Sequence, residues 1–406
     1  MQLASTPPNI TPASQQAWEY FLESLDAARA KALGSVWARG EIERAQALYY
    51  IQMLAAFGFN IYTAPRQAYP NFYVHTIFLP FEYAFGAPCP DFHYRWTFLD
   101  GSRSYRIHGR LGTTRWVEMQ AQRGFWGDED QRRLGNWDLE EFETAADGSF
   151  EIIASAQPQS GNWLRLEPDC PNITILLREA LYDWSSERLL DIHIEPLAAD
   201  PAAPIAHSQA EMDRRLRAVG RMLRFTVDFF LDLSDRIVRE AGGRNAFFLQ
   251  PMQSQNNVGG NPRAGYVQMI YDLRPDEALL IESEIPPARY WSLQLADPWW
   301  QTTDYTYHHS SLNGYQARVD ADGKVRMVIA ARDPGVPNWL DPIDNLTGVA
   351  LWRWYLAERH PIPVTRVVPV ERVREHLPPE TPVVPPDRRR EIIQQRTAAV
   401  RRRFGF

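Results

Sequence analysis

The sequence predicts a mainly β member of the α+β class, built from two tandem related antiparallel β-sandwich or jelly-roll modules, each preceded by helices. Three observations carry that expectation. A stretch reading Asp-Gly, then an alternating strand, then Asn-Trp-Leu occurs twice, once from Asp147 and once from Asp322. The segments between turn signals are short, and successive strands lack the intervening helices that a parallel sheet would need. Finally, 31 prolines favour many turns and edge strands over a helical bundle.

The bulk numbers bound the rest. At 406 residues the chain is long for one domain and comfortable for two or three. Apolar residues at 45% and charged residues at 23% are ordinary globular values, so a core can form without staples. Cys89 and Cys170 lie far apart and outside CxxC spacing, which leaves one disulfide open and excludes a framework. The net charge of −7 is mild, reads as solubility, and argues against a nucleic-acid surface. The basic tail DRRREIIQQRTAAVRRRFGF reads as a solvated terminal helix. No basic region followed by an apolar run marks a signal peptide at the start, and ALYYIQMLAAFGFNIY is too short and polar to span a bilayer. A cytoplasmic protein with a small-molecule ligand is expected, with no nucleic-acid partner and no membrane span; homo-oligomer formation stays open.

Taken in order, residues 1–66 form a helical segment. Helical periodicity over 13–36 places Trp18, Phe21, Leu22, Leu25 and Ala28 on one face, with Ser14 as N-cap and Gly34 as stop. A second helix ends near Gly58. Residues 67–200 form the first β module, in which RWTFLDGSRSYRIHGRL reads as strand, Asp-Gly turn, strand. Residues 201–245 are a helical connector, with a break expected near Gly220 and a cap at Gly242. Residues 246–360 form the second β module. Residues 361–406 are a Pro-rich wrap or linker followed by the basic helix.

The repeat extends beyond its first signal. Asp147 and Asp322 are offset by 175 residues, Asn162 and Asn338 by 176, Arg178 and Arg353 by 175, and Arg115 and Arg289 by 174. A period this long indicates domain duplication rather than a solenoid. The segments YDLRPDEALLIESEIPPARYWSLQLADPWW, HSSLNGYQARVDADGKVRMVIAARDPGVPNWLD and GVALWRW resemble the bacterial domain-of-unknown-function family numbered 1214, over about residues 246–357. The first module resembles it more weakly: Ser160-Gly161 replaces Pro334-Gly335, and Leu166 replaces Asp341. The resemblance implies a β-sandwich, and in relatives a frequent companion domain numbered 1254. It implies no reaction.

Residues shared by both copies are best explained by the fold: Asn162 and Asn338 fixing a turn, Trp163 and Trp339 filling a core. Arg178 and Arg353 fit that reading too, although a guanidinium held in a sandwich can clamp a carboxylate or phosphate with its fork. Residues found in one copy are better functional candidates. The segment DPWWQTTDYTYHHSSLN gathers Asp304, Tyr305, His308 and His309 as candidate acid and base groups, with Trp299, Trp300, Tyr307 and Asn313 as candidate substrate contacts. In an extended strand Tyr305, Tyr307 and His309 would share one face, and Asp304 and His308 the other. In the first module Asp91 and His93 have same-face spacing and are further substrate-binding candidates. The acids of GFWGDEDQRRLGNWDLEEFE read as solvated.

No HExxH, Cys cluster or EF-hand loop points to a metal. NVGGNPRAG lacks both GxGxxG and the Walker lysine, and no GxSxG is present, so no cofactor is expected and the usual nucleophile elbow is excluded. The functional expectation is a cofactor-independent acid/base enzyme, a lyase, isomerase or hydrolase. It would act on a small apolar or ring-containing metabolite such as a terpenoid, aromatic or sugar derivative. Its pocket would lie at the module interface or a sandwich mouth. The alternatives are a carbohydrate- or lipid-binding protein using aromatic platforms, and a structural partner protein.

Overall fold

Helix α1 (Pro12–Leu33) opens the described part of the computed structural model, which comprises residues 11–65, 67–75, 84–198, 208–251 and 259–405. Its N-cap is Thr11 rather than Ser14. Pro12 takes the first helical position, and the Thr11 hydroxyl accepts the Ser14 N–H at 3.2 Å. Helix α2 (Glu41–Gly58) runs on into a π-helical turn, Phe59–Thr63. Helix α3 (Gln209–Glu240) is continuous across Gly220, where the sequence suggested a break. That glycine serves packing instead. A Cβ on it would stand 2.8 Å from Tyr20 Cε1, so only bare backbone lets α1 lie this close. For the same reason α1 buries small residues, Ser14, Ala17, Ser24, Ala28 and Ala32, and leaves the expected Trp18 and Leu22 exposed.

The first module holds β1 (Tyr73–Val74), β2 (Phe92–Leu99), β3 (Tyr105–Arg110), β4 (Trp116–Arg123), β5 (Arg132–Asp138), β6 (Ser149–Ser155), β7 (Trp163–Arg165), β8 (Ile173–Ala180) and β9 (Asp191–Pro196). They make two sheets, β1-β2-β8-β4-β5 and β7-β6-β3-β9. The second module holds β10 (Phe248–Leu249), β11 (Ala264–Asp272), β12 (Glu277–Glu284), β13 (Ala288–Ala296), β14 (Ser311–Asn313), β15 (Lys324–Ala330), β16 (Trp339–Leu340), β17 (Thr347–Ala357) and β18 (Val364–Pro369). Its sheets, β10-β11-β17-β13-β14 and β16-β15-β12-β18, repeat both orders strand for strand. Pairing is antiparallel except for β6–β7 and β15–β16, one short parallel pair per module at the same place.

The repeated residues explain why the copies fold alike. Gly148 and Gly323 have φ of 82° and 79°, the left-handed turn that an Asp-Gly pair permits before β6 and β15. Asn162 donates to Glu143 O and Glu151 O and accepts the Glu143 N–H; Asn338 does the same with Arg318 O, Arg326 O and the Arg318 N–H. The Trp163 and Trp339 indoles donate to the carbonyls of Ser155 and Ala330. Each pair of sheets closes on its own core, with Ile107, Met119, Ile152 and Leu177 in one and Ile281, Leu293, Met327 and Trp352 in the other. A third cluster joins the three leading helices to the two five-stranded sheets.

The tail departs from expectation. The wrap contributes β18 as an edge strand on β12, and α4 (Pro386–Phe404) is not simply solvated. Arg389, Arg396 and Arg403 recur every seven residues and are all buried. Arg389 pairs with Asp333 and donates to Val336 O, Arg396 donates to Ser311 O, and Arg403 donates to Pro90 O, so one helical stripe ties both modules together. Several acids of 124–143 are also engaged: Asp128 with Arg221, Asp130 with Arg123, Glu140 with Arg289, and a buried Asp138 with Arg263 and the Tyr355 hydroxyl. Cys89 and Cys170 are both free and buried.

Candidate functional site

The two five-stranded sheets meet through contacts that come in reciprocal pairs. Arg115 Nε donates to Arg289 O at 2.8 Å, and Arg289 Nη2 donates back to Arg115 O at 3.3 Å. Arg178 on β8 reaches the carbonyl of Gly259 ahead of β11, while Arg353 on β17 reaches that of Ala87 ahead of β2, at 2.6 Å. Such reciprocity is the signature of an isologous dimer interface, here between duplicates in one chain.

A cavity of about 160 Å³ lies on this seam. Each module supplies equivalent side chains to it: Tyr94 and Tyr266, Leu176 and Leu351, Arg178 and Arg353. Phe85, Phe92, Trp96, Phe125 and Trp126 add aromatic surface, and Phe229, Phe230 and Leu233 of α3 close another side with Trp300. Four wall residues hold left-handed backbone, Gly86, Ala87, Gly259 and Trp300, with φ of 76°, 50°, 71° and 61°. Two of these are not glycine, and strain of this kind persists where surrounding contacts over-determine it. Ala87 N–H donates to Trp300 O at 2.8 Å, and the Trp300 indole donates to Ser234 Oγ at 2.9 Å.

Several polar groups of the wall are held by hydrogen bonds. Tyr94 Oη accepts the Cys89 N–H and Tyr266 Oη accepts the Asn261 N–H, at 2.8 and 3.0 Å. Burial raises the pKa of both phenols, so each keeps its proton as a donor. His75 Nδ1 accepts the Trp96 indole N–H at 2.8 Å, which places the proton of the neutral ring on Nε2. The two arginines differ. Arg178 pairs with the fully buried Glu118 at 2.9 Å, and Glu118 also accepts the Asn261 amide at 2.6 Å. Burial pushes the Glu118 carboxyl up, and Arg178 and Asn261 pull against it. Arg353 is 7% exposed, and among the described residues it bonds neutral partners, Gln294 Oε1 and Ala87 O.

Of the residues singled out in the sequence, Arg178, Arg353 and Trp300 line this cavity. Trp299 is buried beside α2, its indole donating to Glu43 O. Asp304 and Tyr305 line a separate cavity of about 290 Å³ with Asp297, Gln301 and Asn345. The segment 303–310 is not a strand. Asp304 Oδ1 accepts the N–H groups of Thr306 and Tyr307, folding a turn that removes the expected alternation of faces. His308 pairs with Asp341 at 2.8 Å near the surface, and Tyr307 is exposed. His309 is buried, donates from Nδ1 to Trp339 O, and is held well below the usual histidine range by burial. Asp91 receives bonds from Tyr290, Asn313 and Trp184 rather than from His93, which packs on Phe404. That buried cluster lies outside both cavities. The equivalence of Tyr94 and Tyr266 was within reach of the sequence, because the repeat continues upstream of the matched segments at an offset of 172 residues.

Among the described residues no His, Cys, Asp or Glu group has the arrangement of a metal site, and no helix is long and apolar enough to cross a membrane. The family model described as "Protein of unknown function (DUF1214)" matches residues 96–183 and 272–359, one match per module. A crystal structure of an uncharacterized protein from Burkholderia cenocepacia is 30% identical, covers 88% of this chain and 98% of its own, and superposes with a TM-score of 0.80. A protein from Vibrio parahaemolyticus is 12% identical over 85% of this chain and 100% of its own, with a TM-score of 0.45. No curated protein matches significantly.

Proposed function

The chain belongs to the DUF1214 family and carries its domain twice, and from that premise we propose that the seam between the copies is a binding site for one small ring-bearing metabolite. The observation that carries this reading is the cavity itself, aromatic-walled, set at a domain interface, and bounded by strained backbone at Ala87 and Trp300. Its size narrows the ligand. An engineered cavity of about 150 Å³ holds benzene, so about 160 Å³ accepts a single ring with a few substituents and favours an aromatic or small cyclic compound over a terpenoid.

Turnover is the second reading, and His75 favours it. Its ring stands on an apolar wall beside two protonated phenols, a grouping of donors that could polarise a bound substrate. Among the described wall residues there is no carboxylate, and with Nδ1 held by the Trp96 indole His75 would act as a proton donor through Nε2, beside the phenols of Tyr94 and Tyr266.

Thermal denaturation with a panel of one-ring compounds tests the binding reading. Ligand at 100 times its Kd stabilises by about 2.7 kcal/mol, a shift of several degrees. Leu233→Trp, which fills the cavity from α3, should abolish that shift while the fold persists by circular dichroism. A shift that survives Leu233→Trp and is lost in Tyr305→Ala would move the site to the second cavity. Product formation from a bound compound, lost in His75→Gln, is the result that would establish turnover.

A further inference from the structure

The duplicated sheets supply an internal reference for what each wall position needs. By register Arg178 stands opposite Glu118 across β8–β4, and Arg353 opposite Ser292 across β17–β13. The first copy therefore carries its own counter-charge for the arginine, and the second does not. Arg353 is nonetheless buried, with no carboxylate within 4 Å among the described residues, and its hydrogen bonds go to an amide oxygen and a backbone carbonyl. Guanidinium cannot shed its proton to relieve this, and a buried charge without a partner is costly. A ligand that brings the missing negative charge removes that cost.

A second, independent feature sits on the same wall. Gln268 is 4% exposed, lines the cavity, and its Oε1 has no hydrogen-bond partner among the described residues. Its equivalent in the first copy, two residues beyond Tyr94 as Gln268 is beyond Tyr266, is Trp96, whose ring nitrogen is satisfied by His75. Gln268 opposes Leu351 and Tyr266 opposes Arg353 across β11–β17, so Gln268 and Arg353 are diagonal neighbours on one face. Diagonal positions are about 7–8 Å apart, a span that one six-membered ring with two substituents can bridge.

Resting on the binding site proposed above, we propose that its ligand is a one-ring carboxylate, with the carboxylate on Arg353 and a ring hydroxyl or N–H donating to Gln268 Oε1. Both groups belong to the second copy, while the first copy, with Arg178 neutralised by Glu118 and with Trp96, closes the other side as a neutral aromatic wall.

The test is calorimetric titration of the full chain at neutral pH with 4-hydroxybenzoate, benzoate and the uncharged 4-hydroxybenzamide. The anion should bind at least about tenfold more tightly than the amide, a difference of about 1.4 kcal/mol, and 4-hydroxybenzoate more tightly than benzoate. Arg353→Gln should erase the preference for charge and Arg353→Lys should keep part of it, each checked for an unaltered unfolding transition. Equal affinity for 4-hydroxybenzoate and 4-hydroxybenzamide in the wild-type chain overturns the carboxylate assignment and leaves the binding site standing. No binding by any of the three at millimolar concentration overturns both.

Discussion

Replacing Glu118 isolates the charge balance at the seam. The carboxylate is fully buried and holds two groups, the Arg178 guanidinium at 2.9 Å and the Asn261 amide at 2.6 Å. Breaking a buried ion pair by deleting one partner costs about 3–5 kcal/mol, because the surviving charge stays buried. Glu118→Leu should show that full loss. Glu118→Gln should lose less, about 1–2 kcal/mol, and the reason is visible in the other copy: Arg353 already rests on Gln294 Oε1 and a backbone carbonyl. Urea unfolding followed by tryptophan fluorescence and circular dichroism gives both values if the two probes coincide. Glu118→Gln should also tighten binding of 4-hydroxybenzoate, since Arg178 then becomes a second guanidinium without internal counter-charge. Equal losses for Gln and Leu would mean that Arg178 needs a formal charge, and that Arg353 is not the precedent it is taken to be. A loss below about 1 kcal/mol for Leu would refute the buried-pair reasoning altogether.

Three further outcomes follow from the geometry. Asn338→Ala removes three hydrogen bonds from a buried turn and should cost about 2–3 kcal/mol, against about 1 kcal/mol for the more exposed Asn162→Ala, both by urea unfolding; equal costs would mean that burial is not what sets them. Burial pushes the Asp297 carboxyl up to about 7, above the roughly 3.9 of an unfolded chain. The native state therefore binds the extra proton, and the wild type loses stability as pH rises from about 4 to about 7, at up to about 1.4 kcal/mol per pH unit. Asp297→Asn should gain on the wild type across that window and hold a constant lead above it. A difference that does not vary with pH refutes this. His93 and His309, held neutral by burial, act in the opposite sense below pH 6.5, so the variant-minus-wild-type difference must be measured rather than the wild-type profile. Arg396→Met should cost about 2–3 kcal/mol by stranding the Ser311 carbonyl and removing a guanidinium 4.5 Å from the Trp184 ring; early proteolytic loss of α4 is the readout, and unchanged protection refutes it.

The fold was legible where residues act locally. Asp-Gly turns, Asn side chains that clamp a loop and tryptophans that donate to the preceding strand do the same work in both copies, so they survive as a repeat at nearly constant offset. The site was less legible because its parts come from segments scattered between His75 and Arg353. A density of titratable side chains at 297–313 drew attention, yet there Asp304 and Asp297 spend their oxygens on local turns and His309 on a backbone carbonyl. Arg178 and Arg353 were visible as a pair but indistinguishable. Only strand register shows that one faces Glu118 and the other Ser292. The buried arginines of α4 were hidden by composition, since a basic stripe is ordinarily solvated and their partners are backbone oxygens of both modules.

Duplication poses a problem at the seam that the two copies solve by diverging. Equivalent residues meet across a reciprocal interface, so a cavity there inherits several wall groups twice, including two guanidiniums. Two uncompensated buried cations on one small cavity would repel each other and would both be stranded from water. A carboxylate in each copy would cure that and leave a neutral, symmetric void with nothing for a charged ligand. Glu118 in one copy and Ser292 in the other give the remaining solution: one arginine is neutralised for the fold and one is left for a guest. The same division explains Trp96 against Gln268, a satisfied indole on the neutral side and an unpartnered amide oxygen on the side that retains charge. On this view a chain with the pattern reversed, Glu118→Ser with Ser292→Glu, should move the preference for an anion from Arg353 to Arg178. Loss of binding in that double variant on Arg178→Gln but not on Arg353→Gln is the expected result. Continued dependence on Arg353 would show that the asymmetry of the seam does not decide where the charge is received.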